Sequence, residues 1–201
     1  MLVVGLTGGI GSGKSTLGAL LERRGAQLID ADELGRLVLE PGEAAWHAVV
    51  GQFGQAVLIP GTMDIDRRRL ADMVFGDPHK LAVLNEIVHP GILSRIADIL
   101  ESFAGTDSIV IIDAALLHEI GLAEAVGVLI VVIAETDIRM DRLMRDRNMS
   151  QEDVQARIDA QADPSEAEAK ADYVVRNDWS IAKLEAEADR LWNHLRALPQ
   201  P

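Results

Sequence analysis

Leu2-Val3-Val4-Gly5-Leu6-Thr7-Gly8-Gly9-Ile10-Gly11-Ser12-Gly13-Lys14-Ser15-Thr16 is an apolar run that breaks into glycines and ends on a lysine and two hydroxyls. Gly8, Gly13, Lys14 and Ser15 meet the pattern G-x-x-x-x-G-K-[ST], with a strand expected before it and a helix after it, the context the pattern requires. A triphosphate must be wrapped by several backbone N–H groups at once. The chain therefore has to turn tightly with no Cβ in the way, which accounts for the glycines at 8, 9, 11 and 13. Lys14 supplies a point charge for the outer phosphates and Ser15 a hydroxyl for Mg2+. The helix opening at Lys14 and running to about Arg24 aims the positive end of its dipole at the same phosphates. A glycine-rich turn that merely joined strand to helix would have no use for the Gly-Lys-Ser ending, so the chain is expected to bind a nucleotide.

Outward from the loop, strands and helices alternate. Gly25 is a natural helix stop, and Gln27-Leu28-Ile29-Asp30 reads as a second short strand. Ser108 to Asp113 is a third, Val128 to Ala134 a fourth, and Asp172-Tyr173-Val174-Val175 a shorter fifth. Runs apolar on both faces and separated by helical patterns indicate a parallel sheet covered on each side, a three-layer α/β sandwich. From Glu43 to Phe103 no buried strand is evident. Trp46, Val49, Val50 and Phe53 recur at helical spacing, as do Leu81, Leu84 and Val88, and then Ile92, Ile96, Ile99 and Phe103. Asp77-Pro78 reads as an N-cap with Pro at the first helical position, and His89-Pro90 as a helix junction. The stretch from Asp137 to about Ala171 carries Arg139, Arg142, Arg145, Arg147 and Arg157. It is either a solvated helix with i, i+4 ion pairs or, given its place after strand four, a lid over the nucleotide. Ile181, Leu184, Leu191 and Leu195 mark a closing helix. Trp46, Trp179 and Trp192 read as packing residues.

With 201 residues, 48% of them hydrophobic, the chain can bury a large core as one unit with inserted pieces. The expectation is a single domain over 1–201, with its core at about 1–42, 105–136 and 171–201, a helical insertion at about 43–104 and a lid at about 137–170. Cysteine is absent, which removes disulfides, thiolate metal sites and cysteine nucleophiles. The five histidines are scattered, so a metal cluster is not expected. The chain opens as a strand rather than as a signal peptide, and its longest strongly apolar run, Val128 to Ala134, is too short to span a bilayer. A cytoplasmic protein with no membrane partner, monomeric or weakly self-associating, is expected. A net charge of −13 argues against long nucleic acid, which calls for a basic footprint. An aromatic content of 3% leaves few platforms for stacking bases. Small anionic substrates remain, because the loop and local arginines bind phosphate whatever the global charge.

The second chemical feature is Ile29-Asp30-Ala31-Asp32. Ligands of open parallel sheets sit beyond the carboxyl ends of the strands, so a carboxylate leaving strand two is expected beside the loop's phosphates. Strand alternation puts Asp30 and Asp32 on one side: one to accept a hydroxyl proton, the other to hold a Mg2+-bound water. The structural alternative is that Asp32 caps a helix starting near Glu33.

Taken together, Gly5 to Thr16 and Ile29-Asp30-Ala31-Asp32 resemble the dephospho-CoA kinase family, whose members phosphorylate the ribose 3′-hydroxyl of dephospho-CoA. The resemblance continues through Asp66-Arg67 with Leu70, Val74 and Phe75, through His89-Pro90, and through Leu116-Leu117 with Glu119. Arg157-Ile158 with Gln161 and Asp172 with Asn177 extend it further. It implies a P-loop kinase fold: a five-stranded parallel sheet with a helical substrate-binding insertion and a helical lid. ATP is then the co-substrate, bound with Mg2+ by Gly9, Gly11, Ser12, Gly13, Lys14, Ser15 and Thr16, with Arg142 and Asn177. Ser15 and Asp30 are the implied metal-side residues. Asp32 is the implied base on the acceptor, beside Arg67, His89 and Leu116, and Lys14 and Arg142 offset charge on the transferring group. The chain departs from the family pattern at Ala115, where Pro is usual, and in the helix after strand four. Counting back from Met149-Ser150 matches Arg142 to the family's first arginine and Asp146 to its second, leaving Arg145 as the alternative phosphate ligand. Three other functions fit less of the sequence. A kinase of a nucleoside or shikimate-like acceptor would differ in the insertion. A GTP-driven switch would need Asn-Lys-x-Asp, which is missing, and a regulatory nucleotide-binding module would have no need of Asp32.

Overall fold

Strands apolar over most of their length are buried on both faces and pair in parallel, and the computed structural model, which describes residues 1–199 other than 75, 116, 118–120, 124, 162 and 163, has such strands at the centre of a five-stranded sheet. Its strands are β1 (Leu2–Gly8), β2 (Gln27–Asp30), β3 (Ile109–Asp113), β4 (Val128–Ile133) and β5 (Tyr173–Arg176). All pairings are parallel, in the order β2-β3-β1-β4-β5. In chain order the helices are α1 (Lys14–Glu22), α2 (Ala31–Leu37), α3 (Ala44–Phe53), α4 (Arg67–Val74), α5 (Pro78–Ser102), α6 (Thr136–Arg147), α7 (Gln151–Asp159), α8 (Pro164–Lys170) and α9 (Ile181–Ala197). The chain packs as two compact units: Met1–Asp30 with Phe103–Pro201, and Ala31–Ser102.

The first unit holds the whole sheet. On one face Leu17, Leu20 and Leu21 of α1 and Leu184, Ala188, Leu191 and Leu195 of α9 pack against Leu2, Val4 and Leu6 of β1, Ile109 and Ile111 of β3, and Val128, Ile130 and Val132 of β4. The 4-3-4 spacing on α9 is one helical stripe, and each Leu, Ile or Val fully buried is worth about 1.5–3 kcal/mol. That stripe holds the helix, since no side chain caps its N-terminus. On the opposite face a Cβ at Gly5 would lie 2.6 Å from a Leu117 methyl and 3.2 Å from Val126, so the segment after β3 packs directly on the β1 backbone. β5 is weak in sequence because it is a short edge strand with Val174 exposed. Asp172 fixes its start twice: its carboxylate accepts from the Leu129 N–H at 2.8 Å, and its own N–H donates to the Leu129 carbonyl at 2.9 Å.

The second unit is helical, with Trp46, Val49, Val57, Ile65, Leu70 and Val74 as its core. The Trp46 indole N–H donates to the Met63 carbonyl at 2.8 Å. The expected helix break at His89-Pro90 does not occur, because α5 runs through Pro90 from Pro78 to Ser102. Proline inside a helix loses one N–H and crowds the carbonyl four residues back, costing about 3 kcal/mol. Ile87 and Val88 on one side, packed on the core, and buried Ile92 and Ile96 on the other offset that cost. Asp77 does open α5: its carboxylate accepts from the Lys80 N–H at 3.2 Å, which holds its pKa below the ordinary value.

Trp46 is buried as expected, whereas Trp179 is 57% exposed, with the Lys183 ammonium 3.6 Å from its ring centre, a cation–π contact rather than core packing. Among the described residues no helix is long and apolar enough to cross a membrane, and no three His, Asp or Glu side chains gather into a metal-binding group.

Candidate active site

β1 ends at Gly8 and α1 begins at Lys14, so the turn between them is the glycine-rich stretch. The glycines serve two separate needs. Gly11 and Gly13 have φ of 77° and 93°, the left-handed region where any other side chain is strained. Gly8 and Gly9 lie outside that region and are glycine for space. A Cβ at Gly8 would sit 2.4 Å from the Val132 carbonyl oxygen, and one at Gly9 would sit 2.9 Å from Arg139 Nη2 and 3.0 Å from Gln161 Oε1. A Cβ at Gly13 would in addition meet Asn177 Nδ2 at 2.1 Å. No side chain caps α1, and Ser15 and Thr16 in its first turn are exposed, so the helix presents N–H groups, hydroxyls and a positive dipole end at one point.

Lys14 forms an ion pair with Asp113, the last residue of β3; their side chains are 12% and 9% exposed. The sequence reading gave Asp113 no role, although an apolar strand ending in Asp was there to be read. Strand order supplies its meaning. Asp113 lies opposite Leu6 of β1 on one side and opposite Asp30 of β2 on the other. Neighbouring strands are ~4.8 Å apart, so Asp113 stands on the strand beside the loop and Asp30, which is exposed, one strand further out.

Helix α6 lays two of its arginines on the loop. Arg142 donates through Nη2 to the Asn177 carbonyl at 2.9 Å and reaches the Ser12 and Gly11 carbonyls at 3.4 and 3.5 Å. Asn177, only 5% exposed, donates through Nδ2 to the Ser12 carbonyl at 2.8 Å, so the residue after β5 and an α6 arginine grip the same rim. The Ser12 hydroxyl is buried with no protein partner. Arg139 Nε donates to the Ile10 carbonyl at 2.8 Å and its Nη2 to Gln161 Oε1 at 2.8 Å, while Gln161 Oε1 also accepts the Ile10 N–H at 2.9 Å. Burial pulls the Arg139 guanidinium below its ordinary pKa. Each three-residue step turns a helix by about 60° short of a full circle, so Arg145 falls away from the loop. It pairs instead with Asp146 at 2.7 Å, 70% exposed, and that hydrogen bond raises its pKa and lowers that of Asp146.

The remaining sequence candidates belong to the second unit or fall outside the described residues. Asp32 is exposed in the first turn of α2, which begins at Ala31. The strand alternation invoked for Asp30 and Asp32 therefore stops at Asp30, and Asp32 is not the residue before a helix starting at Glu33. Arg67, exposed at the start of α4, donates to the Arg36 carbonyl at 3.0 Å. His89 is half-buried within α5. Leu116, like Glu119, lies outside the described residues.

The model of the dephospho-CoA kinase family matches residues 2–183. The chain belongs to the dephospho-CoA kinase family. Within that family it is 46% identical to the dephospho-CoA kinase of Streptomyces avermitilis over 195 residues, covering 97% of this chain and 94% of the relative. A solved structure from Thermus thermophilus aligns with a TM-score of 0.83 at 32% identity, covering 96% of this chain and 97% of the other. The dephospho-CoA kinase structure from Campylobacter jejuni aligns at 0.64 and 24% identity, with 96% of each chain covered, a likeness of fold.

Proposed function

We propose that this chain transfers the γ-phosphoryl group of ATP to the ribose 3′-hydroxyl of dephospho-CoA, giving coenzyme A and ADP. The observation that carries the reading is the complete phosphate loop, with Lys14 and the uncapped start of α1, in a chain that the family model matches over residues 2–183. In the transfer the ribose oxygen forms the new P–O bond as the bond to the β-phosphate oxygen breaks. The hydroxyl proton passes to a carboxylate, for which we choose Asp32. Positioning and charge neutralisation supply most of such a rate.

Mg2+ fits the oxygen donors present. The Ser15 hydroxyl at the start of α1 and the Asp113 carboxylate on the adjoining strand are the hard ligands a phosphate-bridging cation takes, directly or through water, and we rank Asp30 behind Asp113. When bound, the ion neutralises charge on the β- and γ-phosphate oxygens. We infer that Lys14, with three ammonium donors, shares them between Asp113 and those oxygens as the nucleotide arrives. We assign the phosphates to Gly9, Gly11, Ser12, Gly13, Lys14, Ser15 and Thr16, and the transferring group to Arg142, which Asn177 braces. Arg67, His89 and Leu116 are our candidates for the acceptor side, residues 43–104 for the acceptor-binding insertion and 137–170 for the lid that excludes water. We place the enzyme in the cytoplasm, acting on small molecules as a monomer or weak oligomer. ADP release from ATP and Mg2+, measured with and without dephospho-CoA, tests the reading: acceptor-dependent release supports it, and a folded, ATP-binding sample without that dependence refutes it.

A further inference from the structure

The Ile10 peptide in the loop is held on both sides by side chains from the region after β4. Its N–H donates to Gln161 Oε1 at 2.9 Å and its carbonyl accepts from Arg139 Nε at 2.8 Å, while Arg139 Nη2 donates to the same Gln161 oxygen at 2.8 Å. Two donors converge on one atom, so the Gln161 side chain must present its oxygen, since its NH2 end would meet an N–H on each side. Gln161 itself is fixed by a turn bond from its N–H to the Ile158 carbonyl at 3.1 Å, just beyond α7.

Gly9 supplies an independent observation. It needs no left-handed backbone, and the three atoms nearest to a Cβ placed there all belong to Arg139 and Gln161. The space left by the missing side chain is therefore filled by this clasp.

We propose that Gln161 is a latch, a positioning residue that acts purely as an acceptor: oriented by Arg139, it holds the Ile10 N–H so that the end of α7 closes on the phosphate loop and keeps water from the transferring group. The hydrogen bond stands by itself, whereas its consequence for turnover rests on the kinase reading above. Gln161→Glu keeps an oxygen for both donors. Gln161→Leu keeps the volume and removes the acceptor, leaving the Ile10 N–H and Arg139 Nη2 without the Gln161 oxygen. Gly9→Ala pushes a methyl into the clasp while leaving residue 161 unsubstituted.

Two readouts in the full chain decide it: amide hydrogen exchange at Ile10, followed by NMR, and the ratio of ADP released without acceptor to ADP released with dephospho-CoA. For Gln161→Leu and Gly9→Ala we expect exchange at Ile10 about tenfold faster and a leak ratio about tenfold higher, the size of one lost hydrogen bond. Gln161→Glu is expected to stay close to the native chain in both. A merely structural Gln161 would lower the melting temperature and leave the leak ratio alone. Native-like exchange at Ile10 in Gln161→Leu, an unchanged leak ratio in that variant, or a Glu variant as impaired as the Leu variant, overturns the latch. Should the native chain show no dephospho-CoA-dependent release, the kinase reading fails, and exchange at Ile10 alone still decides the latch.

Discussion

Replacing Asp113 with Asn removes the anion against which Lys14 rests while keeping the side chain's shape. The pair is close to buried, with side chains 12% and 9% exposed. Removing one partner of a buried ion pair leaves the other charge uncompensated and costs about 3–5 kcal/mol. The amide oxygen of Asn still accepts from the ammonium, so we take the lower end, about 3 kcal/mol. A chain of this size loses about 2–4 °C of melting temperature per kcal/mol, so the nucleotide-free variant should melt about 6–12 °C below the native protein. ATP without metal reverses the comparison. In the native chain Lys14 already has an anionic partner in Asp113, whereas in the variant the phosphates supply the missing anion. If about half of the 3 kcal/mol is recovered, ATP in EDTA binds the variant about tenfold more tightly. With Mg2+ present the ordering inverts, because the metal side has lost a carboxylate, and such losses lower activity about 10–100-fold. Thermal melts and ATP titration calorimetry in EDTA and in Mg2+ measure all three quantities. A variant that melts with the native protein and binds metal-free ATP no more tightly would refute the coupling of Lys14, Asp113 and the nucleotide.

Arg142→Ala removes the bonds to Asn177 and the loop rim, and hydrogen bonds to a charged group are worth about 1.5–3 kcal/mol. Steady-state kinetics should therefore lose about 10–100-fold in kcat/KM, while Arg145→Ala, whose side chain pairs with exposed Asp146, should keep native kinetics; a larger loss from Arg145→Ala would contradict the assignment. Asp32→Asn should fold, bind ATP with native affinity in equilibrium titration and lose about 10²–10⁴-fold in acceptor-dependent turnover, the usual contribution of a general base. Native turnover in that variant would remove Asp32 from the mechanism.

Much of the fold was legible because its signals are local. The β4 segment is apolar at every position and β3 at every position before Asp113, the mark of strands buried on both faces. The loop announces itself through residue types whose spacing has one chemical use. What escaped was set by partners distant in sequence. Asp113 looks like the polar end of a strand until β3 is known to lie beside β1, which puts its carboxylate against Lys14. Arg139 and Arg142 could not be told from Arg145 by charge density, because the choice depends on which face of α6 meets residues 9–13. The start of α2 directly after a four-residue strand leaves no turn residues to mark it, so strand alternation was carried one step too far, to Asp32. Pro90 signalled a break that the apolar contacts along α5 override.

The central claim is phosphorylation of one hydroxyl on one acceptor, and the position of the new phosphate tests it most directly. Incubation with ATP, Mg2+ and dephospho-CoA, followed by mass measurement of the product and digestion with a 3′-specific phosphatase, reads that position. The account predicts a product heavier by one phosphoryl group that reverts to dephospho-CoA on digestion, formed in step with ADP. A phosphorylated product that resists the 3′-phosphatase, or ADP formed with the acceptor returned unchanged, would contradict it.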